Sequence, residues 1–186
     1  MVRVYVIMAA VVALSLSSSD ALAQICRYCP SFMKPSSPPI KKLASLAGCW
    51  IGKREPDGLA ARVSYELGSE QSALLETIWI ENNPTMYTIY YIDGDVGMAH
   101  HFCSYGNQLR MRAEPSEDPN ILSLALLDAT NLKSPDDNHM THIRFQFIDE
   151  DHFNVEWGLH HNGRDIPQPY VFRRSAESCT GSQNPW

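Results

Sequence analysis

From Leu46 onward, apolar residues recur at every second position in short segments, and no sustained helical period appears. A period of two puts alternate side chains on opposite faces of an extended strand. The segments are Cys49 to Arg54, Ala61 to Leu67, Ala73 to Glu81, Met86 to Ile92 and Val96 to Cys103. Five more follow: Gln108 to Ala113, Ile121 to Asp128, Met140 to Asp149, Phe153 to His161 and Pro169 to Arg174. Tight-turn dipeptides separate several of them, at Asp93-Gly94, Gly106-Asn107 and Asn162-Gly163. The longest gap, Ala129 to His139, contains Pro135 and reads as a loop. About ten short strands joined mostly by hairpins make an antiparallel meander. A single open sheet of that length would leave unpaired edges, so the pattern predicts an all-β, up-and-down barrel. An open sandwich is the alternative that strand spacing allows. A barrel of eight to ten strands holds its own side chains and one small ligand.

Ahead of the first strand, Ile40, Leu43, Ala44 and Ala47 keep helical spacing, predicting one or two turns over Ile40 to Leu46. Residues 24–39 contain Pro30, Pro35, Pro38 and Pro39 and read as a tail without regular structure. Residues 1–23 read as a signal peptide: Arg3, an apolar run from Val4 to Leu16, then Ala21-Leu22-Ala23 as a small-x-small cleavage site. That run is short for a membrane span of about 20 residues; an uncleaved anchor is the other reading. The barrel is expected over residues 40–176 and a C-terminal tail over 177–186. About 160 residues after cleavage suffice for one domain. The five cysteines all follow the leader, which makes disulfides the first expectation. An odd number leaves at least one free or paired between chains. Cys26-x-x-Cys29 has redox-motif spacing but lacks the flanking strand and helix. Cys49 with Cys179 would tie the first strand to the C-terminal segment, though spacing alone leaves the connectivity open. Net charge is −6 and pI about 5.6, against a nucleic-acid partner or a polybasic membrane surface. The oligomeric state is not legible.

Leu46-Ala47-Gly48-Cys49-Trp50-Ile51-Gly52 carries Gly-x-Trp after a helical turn and resembles the opening of lipocalin-like (calycin) barrels. The resemblance implies that Trp50 packs across the closed end. His101-Phe102-Cys103-x-x-Gly106-Asn107-Gln108-Leu109-Arg110-Met111 resembles a motif of uncharacterised secreted bacterial calycin-like proteins. So do Asp128-Ala129-Thr130-Asn131, Pro135 and His139-Met140. This chain has Phe102 where that family often has Tyr, and Leu109 where it often has Pro. The resemblance supports the fold and points to a site; it transfers no activity.

Polar residues crowd between His100 and His142. On a strand His101 and Cys103 share one face, with His100 and Phe102 on the other. The hairpin at Gly106-Asn107 returns Arg110 beside that strand, and Asp128, Asn131, His139 and His142 follow at strand ends or loops. The expected ligand-binding set at one barrel mouth is therefore His101, Cys103, Asn107, Arg110, Asp128, Asn131 and His139. An interior His can act as a base or bind a ligand oxygen, and Arg110 can pair with a carboxylate. Structural readings compete: a packed His101–Cys103 core, a buried Arg110–Asp128 ion pair, and turn-bracing side chains at Asn107, Asp128 and Asn131.

No metal site is expected. Adjacent histidines, as at His100-His101 and His160-His161, face opposite ways on a strand. His139-x-x-His142 suits a helix rather than a loop-strand junction. Nitrobindins, small calycin-like barrels, hold haem through one interior His. That resemblance implies His101 as ligand, with Met98 or Met111 lining the pocket. The spacing favours this no more than an apolar interior, and the cofactor stays unassigned. The leading function is a secreted barrel binding a small, partly apolar molecule. An enzyme using a His/Arg/Asp pocket and a filled structural barrel are the alternatives.

Overall fold

The computed structural model describes residues 38–81, 83, 85–177 and 179. The leader and nearly all of both tails lie outside them. Helix α1 (Pro38–Ser45) is followed by ten strands. They are β1 (Gly48–Arg54), β2 (Ala60–Gly68), β3 (Ala73–Ile80), β4 (Met86–Asp93) and β5 (Val96–Phe102). Then come β6 (Gln108–Ala113), β7 (Ile121–Thr130), β8 (His139–Phe147), β9 (His152–His161) and β10 (Arg164–Arg174). Each strand pairs antiparallel with its neighbours in sequence, and β10 returns to β1, closing the barrel. Closure removes the open edges that a ten-strand sheet would otherwise expose.

The last strand begins five residues before the expected Pro169. Pro167 and Pro169 fall where β10 has β9 as its strand partner, and β1 joins it only from Tyr170 onward. A residue without an N–H is tolerated where the sheet asks nothing of that side. The β9–β10 turn was legible: Asn162 and Gly163 both adopt positive φ (51° and 69°), as a tight two-residue hairpin requires.

Period-two alternation fills the interior. Val63 and Tyr65, Leu74 and Ile78, Tyr90, Leu109 and Met111, Leu124, Ile143 and Phe145, Phe153 and Val155, and Tyr170 and Phe172 are all buried in one apolar cluster. Met98 instead takes the outward parity of its strand, opposite Tyr91 and Arg112, so it does not line the interior; Met111 does.

Helix α1 sits at one end. Leu43 and Leu46 are buried, and Trp50 Nε1 donates to the Leu46 carbonyl at 2.7 Å. The Arg174 guanidinium lies 4.2 Å over the Trp50 ring and donates to the carbonyls of Ser45 and Ala47, both at 3.1 Å. A cation there answers the unpaired carbonyls that end a helix. Cys49 is disulfide-bonded to Cys179, fastening β1 to the segment beyond β10. No helix among the described residues is long and apolar enough to cross a membrane.

Candidate functional site

The barrel end opposite α1 opens into a cavity of about 240 Å³. Its apolar wall is Leu59, Ile80, Met86, Met140, Trp157, Leu159 and the Tyr170 ring. Cys103, Ser104 and Tyr105 enter from the β5–β6 turn, and Arg54, Asn83 and Gln168 supply further polar groups. These residues come together because odd-to-even connections (β1–β2, β3–β4, β5–β6 and so on) all turn at this end. The Arg54 guanidinium donates from Nε to Asp57 at 3.1 Å, and also pairs with Asp57 and with Gln168 Oε1 through its terminal nitrogens. The side-chain bond to Asp57 raises the Arg54 pKa; Tyr170 lies close enough to add to it. Burial pushes the Tyr170 phenol up.

Trp157 is 4% exposed, with its ring 4.8 Å from Tyr170 and 6.2 Å from Phe172. Its Nε1–H is buried and meets no acceptor. Cys103 is half-buried and not disulfide-bonded, and burial pushes its thiol up, against the thiolate.

Of the seven residues expected at the mouth, Cys103 is the one on this cavity's wall. His101 faces inward as the alternation requires but lies in the packed core, fully buried. Its Nδ1 is 2.9 Å from Thr88 Oγ1 and its Nε2 has no partner. Burial, and secondarily His100, lowers its pKa from 6.5 to about 4.

Arg110 and Asp128 are not interior. They form an ion pair on the outer wall, both side chains about half exposed. The cause is register: Arg110 pairs across with His100 and with Asp128, the outward row. A bulge sets that row, because Met111 opposes Leu126 and leaves Leu127 extra. Asn107 is buried and ties two loops, donating Nδ2 to the Asn138 carbonyl at 2.9 Å. Asn131 has φ 62° and donates to the Gly106 carbonyl at 2.6 Å. Both do what turn-bracing amides do. His139 stands beside His160, ring centroids 5.1 Å apart, and its Nδ1 lies 2.6 Å from the Asp137 carbonyl oxygen. It lines a shallow groove with Leu126 and Leu132, where β7 and β8 part beyond Ala125 and His142. His142 lies against Glu156, 3.1 Å away.

Sequence reasoning did not single out Glu76, the buried acid of the core. Tyr65 donates its hydroxyl to Oε1 at 2.6 Å and Tyr90 to Oε2 at 3.0 Å. Desolvation raises the Glu76 pKa; the bonds from Tyr65, Thr88 and Tyr90 oppose the rise. The signal was present: Leu74, Glu76 and Ile78 share a parity, so an acid in that row must face the core.

The residues do not fit a haem. His101 is off the cavity wall, surrounded by packed side chains, and the cavity falls below the roughly 300 Å³ at which drug-sized pockets begin. Among the described residues no three His, Cys, Asp or Glu side chains gather as a metal set.

No family model matches the chain. No curated protein matches it either. The fold is similar to the crystal structure of Rv2717c from M. tuberculosis, with a TM-score of 0.51 and 13% identity over 75% of this chain and 98% of that one. A protein of unknown function from the DUF3598 family of Nostoc punctiforme aligns at TM-score 0.47 and 10% identity, over 72% of this chain and 49% of that one. At such identity the Rv2717c likeness speaks for the fold alone.

Proposed function

We propose that this protein is a secreted barrel that binds a small, partly apolar molecule in the cavity at its open end. The carrying observation is the cavity itself: an apolar wall with a few polar groups, opposite an end sealed by α1 and Trp50. Ligand sites are commonly built in the mouths of β-barrels, apolar with a few placed polar groups. At about 240 Å³ the cavity holds the equivalent of roughly eight waters at about 30 Å³ each, so the occupant is small. The leader-like residues Val4 to Ala23 and the Cys49–Cys179 disulfide support an oxidising, extracytoplasmic location. The ligand-binding groups of this reading are Trp157, Arg54, Gln168, Tyr170 and Cys103; the outer Arg110–Asp128 pair has no part in it.

Native mass spectrometry of the protein purified without reductant, followed by NMR titration with small apolar compounds, tests the proposal. Retained organic mass, or shifts confined to the cavity wall around Met140, Trp157 and Gln168, is the expected result. A bare mass with no compound shifting those residues would sink it in favour of a filled structural barrel.

A further inference from the structure

We infer that Thr141, His142 and Glu156 are nucleophile, base and orienting acid of a second site, on the outer wall, which takes the acyl group of an uncharged carboxylic ester onto the Thr141 hydroxyl and passes it to water. The site goes beyond the binding reading above and stands whether or not the open-end cavity holds a ligand. Thr141 Oγ1 lies 3.2 Å from His142 Nδ1, and His142 Nε2 lies 3.1 Å from Glu156 Oε1. An ionised carboxylate only accepts hydrogen bonds, so Glu156 holds the ring proton on Nε2. Nδ1 is then a lone pair, and the Thr141 hydroxyl donates to it. These are the roles of a hydroxyl nucleophile, a histidine base and a third group that orients the base. Solvent reaches them: the His142 and Glu156 side chains are 38% and 37% exposed, and Thr141 is half-buried.

Two departures from a regular sheet build the arrangement. Met140 opposes Leu159 and His142 opposes Gly158, so Thr141 is the extra residue of a bulge in β8. A bulge re-aims a side chain, and here it lets two consecutive residues reach the same side of the strand. Gly158 then leaves the room they need. A Cβ there would stand 2.2 Å from the His142 ring and 2.5 Å from Thr141 Oγ1, so hydroxyl and ring share the space of one missing side chain. Ala125 and His142 are the last pair between β7 and β8, and beyond them Leu126, Leu132 and Pro135 line the groove where the strands part. That groove offers an apolar seat to a short aliphatic acyl chain. In the reaction Thr141 Oγ1 bonds to the ester carbonyl carbon and the bond to the leaving oxygen breaks. The hydroxyl proton passes to His142 Nδ1 and on to the leaving oxygen. Water then cleaves the acyl-threonine, restoring the hydroxyl and releasing the carboxylic acid.

The probe is p-nitrophenyl butyrate, with nitrophenolate release followed by absorbance and the acylated residue mapped by peptide mass spectrometry after acid quenching at short times. The wild-type protein should release nitrophenolate and carry a butyryl group on Thr141. Thr141→Val keeps the shape of the side chain without the nucleophile, and both signals should be lost. His142→Gln should slow acylation about 100-fold, the low end of what general-base catalysis contributes. Glu156 is a positioning residue, so its readout is the ring itself. Nitrogen NMR of His142 should show the proton on Nε2 in the wild type and redistributed toward Nδ1 in Glu156→Gln, which should also acylate more slowly. Gly158→Ala retains all three groups but displaces the ring, and its loss of acylation is the second test if His142→Gln folds poorly. Nitrophenolate release that Thr141→Val leaves unchanged overturns the inference. So do butyryl groups on lysines alone, equal acylation of Thr141 in His142→Gln, and a wild-type His142 proton on Nδ1.

Discussion

Thr88 and His101 face each other across β4 and β5, Oγ1 to Nδ1 2.9 Å, both fully buried inside the barrel. Thr88 also reaches Glu76, whose two carboxyl oxygens receive Tyr65 and Tyr90. A polar chain thus runs through the core from β2 to β5. Burial opposes the charged form at both ends, lowering the His101 pKa and raising that of Glu76. The two shifts make opposite predictions about pH.

His101 titrates near 6.5 when exposed and at about 4 in the fold. Its neutral form therefore favours folding, a contribution complete above pH 6.5 and lost as the pH falls through about 4. The interval of about 2.5 pH units sets a ceiling of roughly 3–4 kcal/mol, at about 1.4 kcal/mol per unit. Urea midpoints should drop across this window in the wild type. In His101→Gln, which has no titrating group there, that acid limb should flatten even if the variant starts less stable. An unchanged acid limb would show that His101 is not the buried base.

Glu76 works the other way. Its folded pKa lies above the ordinary 4.5, so its contribution is full below that value and declines as pH rises through the folded pKa. Glu76→Gln should remove this alkaline decline, so its deficit against the wild type narrows with rising pH. Tyr65→Phe takes away the donor at 2.6 Å and should destabilise the fold by about 1–3 kcal/mol, the cost of leaving a buried polar group unmet. Denaturation of both variants between pH 4 and pH 8 checks the sign.

Asp128→Asn breaks the ion pair with Arg110 on the outer wall. Exposed pairs are screened by solvent and salt. The substitution should leave the urea midpoint within error and should not change compound binding at the cavity. A loss of binding in Asp128→Asn would restore the pair to the site and contradict the cavity reading.

How much of this was legible follows from parity. Alternation put His101 and Cys103 on one face of their strand, the resemblance put Trp50 across the closed end, and the hairpin at Gly106-Asn107 was visible as a dipeptide. The same hairpin could have excluded Arg110, since it sets Arg110 opposite His100, the outward residue, rather than His101. The bulge at Leu127 had no such signal, because an extra residue in a strand leaves the composition unchanged. Gln168 was lost for another reason: the expected last strand began at Pro169, whereas β10 already runs from Arg164. Arg54 and Met140 sit at strand ends, where a pattern of alternation says least about what the loops bring together.

The Cys49–Cys179 bridge closes a loop with a sequence separation of 130, and so restrains most of the unfolded barrel. Chain entropy for a loop of that size sets a ceiling of about 5 kcal/mol, and bridges of this kind typically contribute about 2–4 kcal/mol. The bridge also holds Cys179 against β2, where its sulfur lies 3.3 Å from the Val63 carbonyl oxygen. Replacing both cysteines by alanine should lower unfolding free energy by about 2–4 kcal/mol while the ten-strand barrel persists. Its effect at the cavity should be small, because Cys49 stands at the α1 end and Trp157 with Cys103 at the other. Urea unfolding of this variant, with and without reductant, is the check. Reductant should shift the wild-type midpoint and leave the double variant where it is. A midpoint insensitive to reductant in the wild type would mean that the helix cap and Arg174 alone secure that end.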